Sequence, residues 1–311
     1  MAHVQRFDER AALALWDEDV LCLGRMADAF RRQTGTKEFH QLTRHINYTN
    51  ICRNHCRFCR FRRCEHDADA YTLTPDELLR QAAAAVEAGA QILHIVGGIH
   101  PGLPYAFYAD MLRTLRNAFP AVHLRAFTAT EIIDLAAKHA SSIAATLSEL
   151  IDIGLNSLPG GGAEILEEDY FARFAPDKPG PAAWLEVHAV AHRLGLATNA
   201  TMLFGYQETP LQRTRHLLRL RALQEQSLEA GRGAFASFVS LPWIDADGKI
   251  PGSRREGFLE LRTIAVSRLV FDNVPHVKAF TPLLGAGLAQ TALHFGADEL
   301  ETTLADYQIS Q

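Results

Sequence analysis

Three cysteines in one short segment have a spacing that suits metal chemistry. Cys52, Cys56 and Cys59 follow the pattern C-x3-C-x2-C. Three thiolates on one loop can ligate three irons of a cubic [4Fe-4S] cluster, and the fourth iron then has no protein ligand. A reaction at a metal centre requires such an open position. The spacing therefore predicts an iron–sulfur cluster that takes part in catalysis.

A structural zinc ion is the alternative occupant of this segment. It would use the same three cysteines, with Cys64, His55 or His66 as the fourth ligand. Structural zinc sites usually combine two ligand pairs that are separated in sequence, and the sequence offers no second pair. The spacing favours the cluster. The zinc hypothesis would make the chain a zinc-stapled barrel that binds a small ligand without catalysis.

Length, composition and charge limit the classes of protein to consider. The chain has 311 residues, 48% of them hydrophobic, and 31 basic against 36 acidic residues give a formal charge of −5. These values are ordinary for a folded protein and exclude a disordered or collagen-like chain. They argue against nucleic-acid binding by bulk charge. The charged N-terminus and the polar interruptions between residues 82 and 99 indicate no secretory signal and no membrane span, so we expect a cytoplasmic protein without nucleic-acid or membrane partners.

Predicted strands and helices alternate along the chain, and this order indicates how the cysteine segment is positioned. Strand starts recur about every 30 to 45 residues with a helix between, which is typical of βα units and a parallel sheet. We predict an α/β fold: a (β/α) TIM-type barrel over residues 37–311 as one domain, after an N-terminal helical extension over residues 1–36. An open doubly wound sheet is the alternative. In a barrel, the loops after the strands meet at one face, where active sites lie.

Several polar and glycine residues lie where these predicted loops begin. Gly160, Gly161 and Gly162 follow the fourth predicted strand and allow a close backbone approach to a ligand. Asn199 and Thr201 alternate on the fifth strand, so both side chains point to one face. His94 lies inside a strand with apolar neighbours, a pattern that favours a buried core histidine.

The cysteine loop resembles that of the radical S-adenosylmethionine (radical SAM) superfamily, which has an aromatic residue before the third cysteine. Phe58 occupies that position. Gly97 and Gly98 resemble the glycine pair beside the methionine amino group of S-adenosylmethionine. The stretch from Thr201 to Glu208 resembles the adenine-side motif. This resemblance implies a full or partial (β/α) barrel, a [4Fe-4S] cluster, and S-adenosylmethionine as co-substrate.

Five separate segments are similar to the aminofutalosine synthases of the futalosine route to menaquinone. Relatives of that group are the dehypoxanthine futalosine cyclases and the F0 synthases. The resemblance extends from Trp16 to Leu304, and the run from Ser240 to Gly248 departs from the family pattern. The similar segments are His45–Cys52, Val96–Pro101, Ala126–Glu131, Ser157–Glu164 and the stretch from Trp184 to Met202.

This closer resemblance implies a specific reaction. The 5′-deoxyadenosyl radical adds to an aryl enolpyruvyl ether, 3-[(1-carboxyvinyl)oxy]benzoate. Rearrangement and loss of CO2 or bicarbonate then give 6-amino-6-deoxyfutalosine and methionine. A cyclase-like or F0-synthase-like activity is the alternative. Either reaction implies a reducing partner of the flavodoxin or ferredoxin type.

The resemblance also implies roles for individual residues. The substrate is a dicarboxylate, so we expect cationic or donor groups near it. His100 and Arg125 are the candidates, and a plain ion pair at the barrel bottom stays open for Arg125. Glu131 is expected to contact ribose or methionine, or to be only a helix first-turn acid. The predicted contacts to S-adenosylmethionine are Phe58, Gly97, Gly98, Thr128, Gly161, Glu164, Asn199, Thr201 and Leu203.

Overall fold

Eight parallel strands form a closed barrel in which each strand pairs with its neighbour in sequence and the last pairs with the first. A computed structural model describes residues 6–244, 257–305 and 307. The closed order confirms the predicted (β/α) barrel, and the open-sheet alternative is wrong. The strands are β1 (Phe39–Asn47), β2 (Ile92–Val96), β3 (His123–Ala126), β4 (Ser157–Leu158), β5 (Ala197–Phe204), β6 (Phe235–Pro242), β7 (His276–Phe280) and β8 (Glu299–Thr303).

Helices follow the strands and cover the outside of the barrel. Apolar side chains of the helices and of the strands' outer faces join in one large core. Within the described residues the α-helices are α1 (Glu9–Ala14), α2 (Val20–Gln33), α3 (Pro75–Glu87), α4 (Tyr105–Ala118), α5 (Ala129–Lys138), α6 (Ile143–Ile153), α7 (Glu168–Phe174), α8 (Pro181–Arg193), α9 (Pro210–Ala230), α10 (Phe258–Val270), α11 (Thr281–Leu284) and α12 (Ala286–Ala292).

Local sequence signals explain where several of these helices begin. Helix α3 starts with a capping box in which Thr74 accepts from the backbone of Glu77 and the Glu77 carboxylate accepts from Thr74. Helix α5 starts with the same arrangement between Thr128 and Glu131. Such a box satisfies two backbone N–H groups that a helix N-terminus otherwise leaves without partners. The box of α5 fixes the loop after β3, which faces the site described below.

Two details of the predicted order of elements are present in the structure. The helix expected from Glu131 to Ile153, with a possible break near Ser141, is indeed two helices, because Ala140 has a φ of 50° and Ser142 caps α6. The weak strand expected near Leu300 is β8, which closes the barrel. The fourth strand is only two residues long.

The N-terminal helices pack on the outside of the barrel. The Trp16 indole donates to Thr214 on α9 at 2.8 Å, and Arg262 on α10 donates to the Trp16 carbonyl at 2.8 Å. The domain division at residues 36 and 37 stays a prediction. None of the described helices is long and apolar enough to cross a membrane.

Candidate active site

A cavity of about 270 Å³ lies inside the barrel, surrounded by the carboxyl ends of the strands and their loops. It collects residues that are more than a hundred positions apart in sequence. The predicted site residues that line it are Cys52, Cys56, Phe58, Cys59, Gly97, Gly98, Arg125, Thr128, Gly161, Glu164, Asn199, Thr201 and Leu203. His100 and Glu131 are not among the described residues that line it.

The cysteine loop follows β1 and is fixed by backbone hydrogen bonds on both sides. The Cys52 amide donates to the Arg63 carbonyl at 3.1 Å, and the Cys59 amide donates to the Cys56 carbonyl at 3.1 Å. The side-chain amide of Asn50 donates to the Asp69 carbonyl and its oxygen accepts from the Tyr71 amide, each at 2.8 Å. The loop is therefore ordered by bonds that do not use the thiols.

The three thiols suit a cluster better than a single zinc ion. All three cysteines line the cavity. A tetrahedral zinc ion with Zn–S bonds of about 2.3 Å holds its sulfurs about 3.8 Å apart, and among the described residues the thiols form no ligand group within 4.8 Å. Burial raises the pKa of Cys56 to about 12 and also raises the pKa of Cys59. A metal that binds these thiols must therefore displace their protons.

Gly97 and Gly98 let the loop after β2 approach the cysteine loop closely. A Cβ atom on Gly98 would lie 2.2 Å from the Ile51 carbonyl oxygen, and one on Gly97 would lie 2.6 Å from the Tyr48 ring. The Gly98 amide donates to the Thr49 carbonyl at 2.9 Å. Only a residue without a side chain fits these two positions. Whether they also contact S-adenosylmethionine stays a prediction.

Glu131 lies behind the cavity wall and holds the loops together. Its Oε1 accepts from the Tyr48 hydroxyl at 2.6 Å and from the Gly97 amide at 3.1 Å. Its Oε2 accepts from the Thr128 amide and hydroxyl, each at 2.7 Å. Burial raises the pKa of Glu131, although its hydrogen bonds to Tyr48, Thr128 and Gly97 act to lower it. The carboxylate therefore bonds to the loops after β1, β2 and β3, and its bonds to Thr128 in the last of these loops form the N-terminal cap of α5.

His100 is also occupied by contacts within its own loop. Its Nδ1 accepts from the Gly102 amide at 3.0 Å and from the Leu103 amide at 3.3 Å. Its carbonyl accepts from Lys138 at 2.6 Å. In the structure His100 therefore stabilises the turn that follows it and does not line the cavity.

The loops after β4 and α7 bring a buried ion pair next to the thiols. Lys178 Nζ lies 2.5 Å from Glu164 Oε1 and 5.7 Å from the centre of the Phe58 ring. Burial lowers the pKa of Lys178, but the charge of Glu164, the hydrogen bond to it and the nearby cysteines together raise the pKa overall. No pattern in the sequence indicates Lys178, because no spacing relates a lysine in this loop to the cysteines.

Charged and imidazole groups from four strands form the floor of the cavity, namely His45, His94, Arg125 and Glu301, and Lys278 and Glu299 lie next to them outside the lining. Lys278 Nζ lies 2.6 Å from both Glu299 Oε1 and Glu301 Oε2, and Arg125 Nη1 lies 3.1 Å from Glu301 Oε2. His45 stacks on His94 with ring centres 4.1 Å apart. Arg125 is therefore both an ion-pair partner and a cavity residue.

The prediction of a core position for His94 is wrong. His94 is partly exposed and, with His45 and Glu301, lines the cavity. His45, His94 and Arg125 are adjacent on neighbouring strands. This adjacency depends on strand register, and no pattern in the sequence indicates it. The run from Ser240 to Gly248 is described only to Ile244, because residues 245–256 lie outside the described part of the chain.

Three thiols beside a cavity at the carboxyl ends of a closed parallel barrel define a barrel that binds an iron–sulfur cluster. The family profile of the Radical SAM superfamily matches residues 46–219. The chain belongs to the radical SAM superfamily.

Individual relatives agree with this assignment. Aminodeoxyfutalosine synthase of Streptomyces coelicolor is 39% identical, over 98% of this chain and 81% of that protein. The 5-amino-6-(D-ribitylamino)uracil–L-tyrosine 4-hydroxyphenyl transferase of a Cyanothece species is 36% identical, over 96% of this chain and 82% of that protein. The crystal structure of methylornithine synthase has the same fold, with a TM-score of 0.75 at 16% identity over 99% of this chain and 86% of that one.

Membership of this family settles the class of activity and its cofactors. The chain is an enzyme that uses a [4Fe-4S] cluster and S-adenosylmethionine. The non-enzymatic, zinc-stapled barrel is therefore wrong. The residues that fit the cluster are Cys52, Cys56 and Cys59, because their side chains share one cavity wall.

Proposed function

We propose that the chain is an aminodeoxyfutalosine synthase. Its reaction would join the 5′-deoxyadenosyl group to 3-[(1-carboxyvinyl)oxy]benzoate, with rearrangement and loss of CO2 or bicarbonate. The observation that carries this proposal is the 39% identity to the Streptomyces coelicolor enzyme over nearly the whole chain. The cavity adds support, because it joins a thiol-lined end to a floor with a buried arginine.

The cluster and S-adenosylmethionine, when bound, supply the 5′-deoxyadenosyl radical, and the chain's own residues hold the acceptor in place. The cavity wall between the thiols and the floor is largely apolar and includes Val96, Leu203, Val239 and Leu241. Such a wall excludes water and can fix an aromatic ether in one orientation, which a radical addition requires. Thr201 helps to shape this wall, because its hydroxyl donates to the Gly160 carbonyl at 2.6 Å.

The loop beside the thiols supports a negatively charged protein as electron donor. Between Arg53 and Arg63 the chain has five arginines and no acidic residue, although its overall charge is −5. Arg53 and Arg57 are exposed, although Arg53 pairs with Asp134 at 2.9 Å, and they share this short loop with the predicted cluster cysteines. A positive patch favours association with an acidic carrier of the flavodoxin or ferredoxin type.

The identity of the nucleoside product tests the proposed function. The anaerobically reconstituted enzyme is reduced and given S-adenosylmethionine with 3-[(1-carboxyvinyl)oxy]benzoate, and the products are separated by chromatography and mass spectrometry. We expect 6-amino-6-deoxyfutalosine and methionine in equal amounts. Formation of 5′-deoxyadenosine with the benzoate unchanged would contradict the proposal.

A tyrosine-dependent activity is the second candidate, since several relatives with that name are almost as similar. The Methanothermobacter thermautotrophicus 5-amino-6-(D-ribitylamino)uracil–L-tyrosine 4-hydroxyphenyl transferase is 38% identical over 86% of this chain. The same assay with L-tyrosine and 5-amino-6-(D-ribitylamino)uracil decides between the two. Turnover of that pair, and not of the enolpyruvyl benzoate, would establish the second candidate.

A further inference from the structure

The floor of the cavity holds an excess of hydrogen-bond donors. His45, His94 and Arg125 are adjacent on β1, β2 and β3, since His45 pairs in register with His94 and His94 with Arg125. In the described structure neither nitrogen of His45 is within hydrogen-bond distance of a partner, although its Nε2 lies 3.8 Å from Glu301 Oε1, and His94 Nδ1 and Arg125 Nε also have no hydrogen-bond partner. Buried polar groups are normally paired, so a row of unpaired ones at a cavity indicates a ligand.

The acceptors already present at the floor are in use. Lys278 and Arg125 both bond to Glu301, and Lys278 also bonds to Glu299. Two carboxylates thus balance two cations. Burial, together with the nearby positive charges, lowers the pKa of His94 well below its usual value, and burial also lowers the pKa of His45. Each neutral imidazole still has one N–H group to donate.

We propose that this floor is a subsite for the carboxylate of an aromatic acid, with His94 as the contacting donor and the unpaired Nε of Arg125 beside it as a second donor. His45 is a positioning residue that stacks behind His94 at 4.1 Å. The proposal rests on the proposed function for the choice of an aryl carboxylate, and it adds the residues that select it.

The surroundings of the floor suit the aromatic ring of such a ligand. Phe280 lies 5.5 Å from His45 and Tyr307 lies 5.0 Å from it, measured between ring centres. Val239 packs in the same apolar cluster. An acid with its ring in this cluster and its carboxylate on His94 would extend from the floor toward the thiols, so that a substituent on the ring faces the cluster end of the cavity.

A divalent metal ion is a poorer occupant of the same place. His45, His94 and Glu301 bring ligand atoms within 4.8 Å of one another. However, Glu301 is already bonded to Lys278 and Arg125, and a cation would face both of these positive charges. A metal ion would therefore have to displace two buried cationic partners from Glu301, whereas an acceptor ligand can use the unpaired donors of the floor without breaking these ion pairs.

Binding of two small probes to the oxidised, cluster-loaded protein tests the proposal without turnover. Benzoate and benzamide have the same shape, and only benzoate carries a charge. By isothermal titration we expect the protein to prefer benzoate by about tenfold or more, because the carboxylate accepts charge-assisted hydrogen bonds. His94→Phe should abolish the preference, and His94→Gln, which keeps a donor, should retain part of it.

Two further variants keep the test decisive. His123→Gln removes a histidine on the same strand as Arg125 but outside the cavity lining, so it should leave the preference unchanged. Arg125→Gln should weaken the preference, and it replaces His94→Phe if that variant does not fold. The proposal would be overturned if the natural protein showed no preference for benzoate. It would also be overturned if the preference were undiminished in His94→Phe or, where that variant does not fold, in Arg125→Gln. Tight binding of Zn²⁺ that is lost in His94→Phe would overturn it as well.

The outcome is separate from that of the proposed function. An unexpected nucleoside product together with a His94-dependent preference for benzoate refutes the synthase assignment and supports the carboxylate subsite. The expected product together with an unaltered preference in His94→Phe supports the assignment and refutes the subsite.

Discussion

Gly98→Ala should damage the cluster site through backbone crowding alone. The added Cβ would lie 2.2 Å from the Ile51 carbonyl oxygen and 2.9 Å from Cys52 Cβ. Ordinary contact begins at 3.4 Å, so the two loops must separate by 3.4 − 2.2 = 1.2 Å. Overpacking of this kind costs about 1–3 kcal/mol of unfolding free energy. Metal and catalytic sites tolerate displacements of only about 0.5 Å, and Cys52 follows Ile51 directly.

The measurement is the iron and sulfide bound per chain after anaerobic reconstitution, together with the midpoint of urea unfolding. We expect Gly98→Ala to bind less than half of the natural amount and to unfold at lower urea. Gly102→Ala is the matched control, because its Cβ would meet nothing closer than His100 Cε1 at 3.6 Å. If Gly98→Ala loads as much iron as Gly102→Ala, the reasoning about close loop approach is refuted.

Three further predictions concern stability, electron delivery and ligation. Burial lowers the pKa of His216 from 6.5 to about 3. As the pH drops below 6.5, His216 therefore binds a proton in the unfolded chain but not in the folded chain, and the free energy of unfolding decreases. Between pH 7 and 5 this costs about 2 kcal/mol, so urea unfolding of His216→Gln should be less pH-dependent by that amount, and the exposed His66→Gln should not. Arg57→Glu should slow cluster reduction by an acidic flavodoxin several-fold at low salt, but it should not slow reduction by the methyl viologen radical. The exposed Arg25→Glu is the control. Equal rates with flavodoxin for the two variants would contradict docking of the electron donor at the arginine-rich cysteine loop. Cys56→Ala should abolish cluster binding and S-adenosylmethionine cleavage while the circular dichroism spectrum is retained, and residual cleavage would disprove ligation by Cys56.

The sequence by itself determined the class of fold and predicts the position of the cluster. Alternating strand and helix signals are local, and the capping box at Thr74 is visible in four consecutive residues. The pattern Cys52, Cys56 and Cys59 is equally local, because all three predicted ligands come from one loop. Local signals of this kind do not depend on which distant segments meet.

The tertiary structure alone decided which charged and imidazole side chains face the cavity. His94 has apolar neighbours in sequence, yet strand register sets it beside His45 and Arg125. Glu131 matches a family motif, but its oxygens are used by Tyr48 and the loops around it. Barrel closure brings β8 next to β1 and so carries Glu301 across more than 250 residues of sequence to His45. Contacts made by closure depend on the relative positions of distant strands, and for this reason no local pattern contains them.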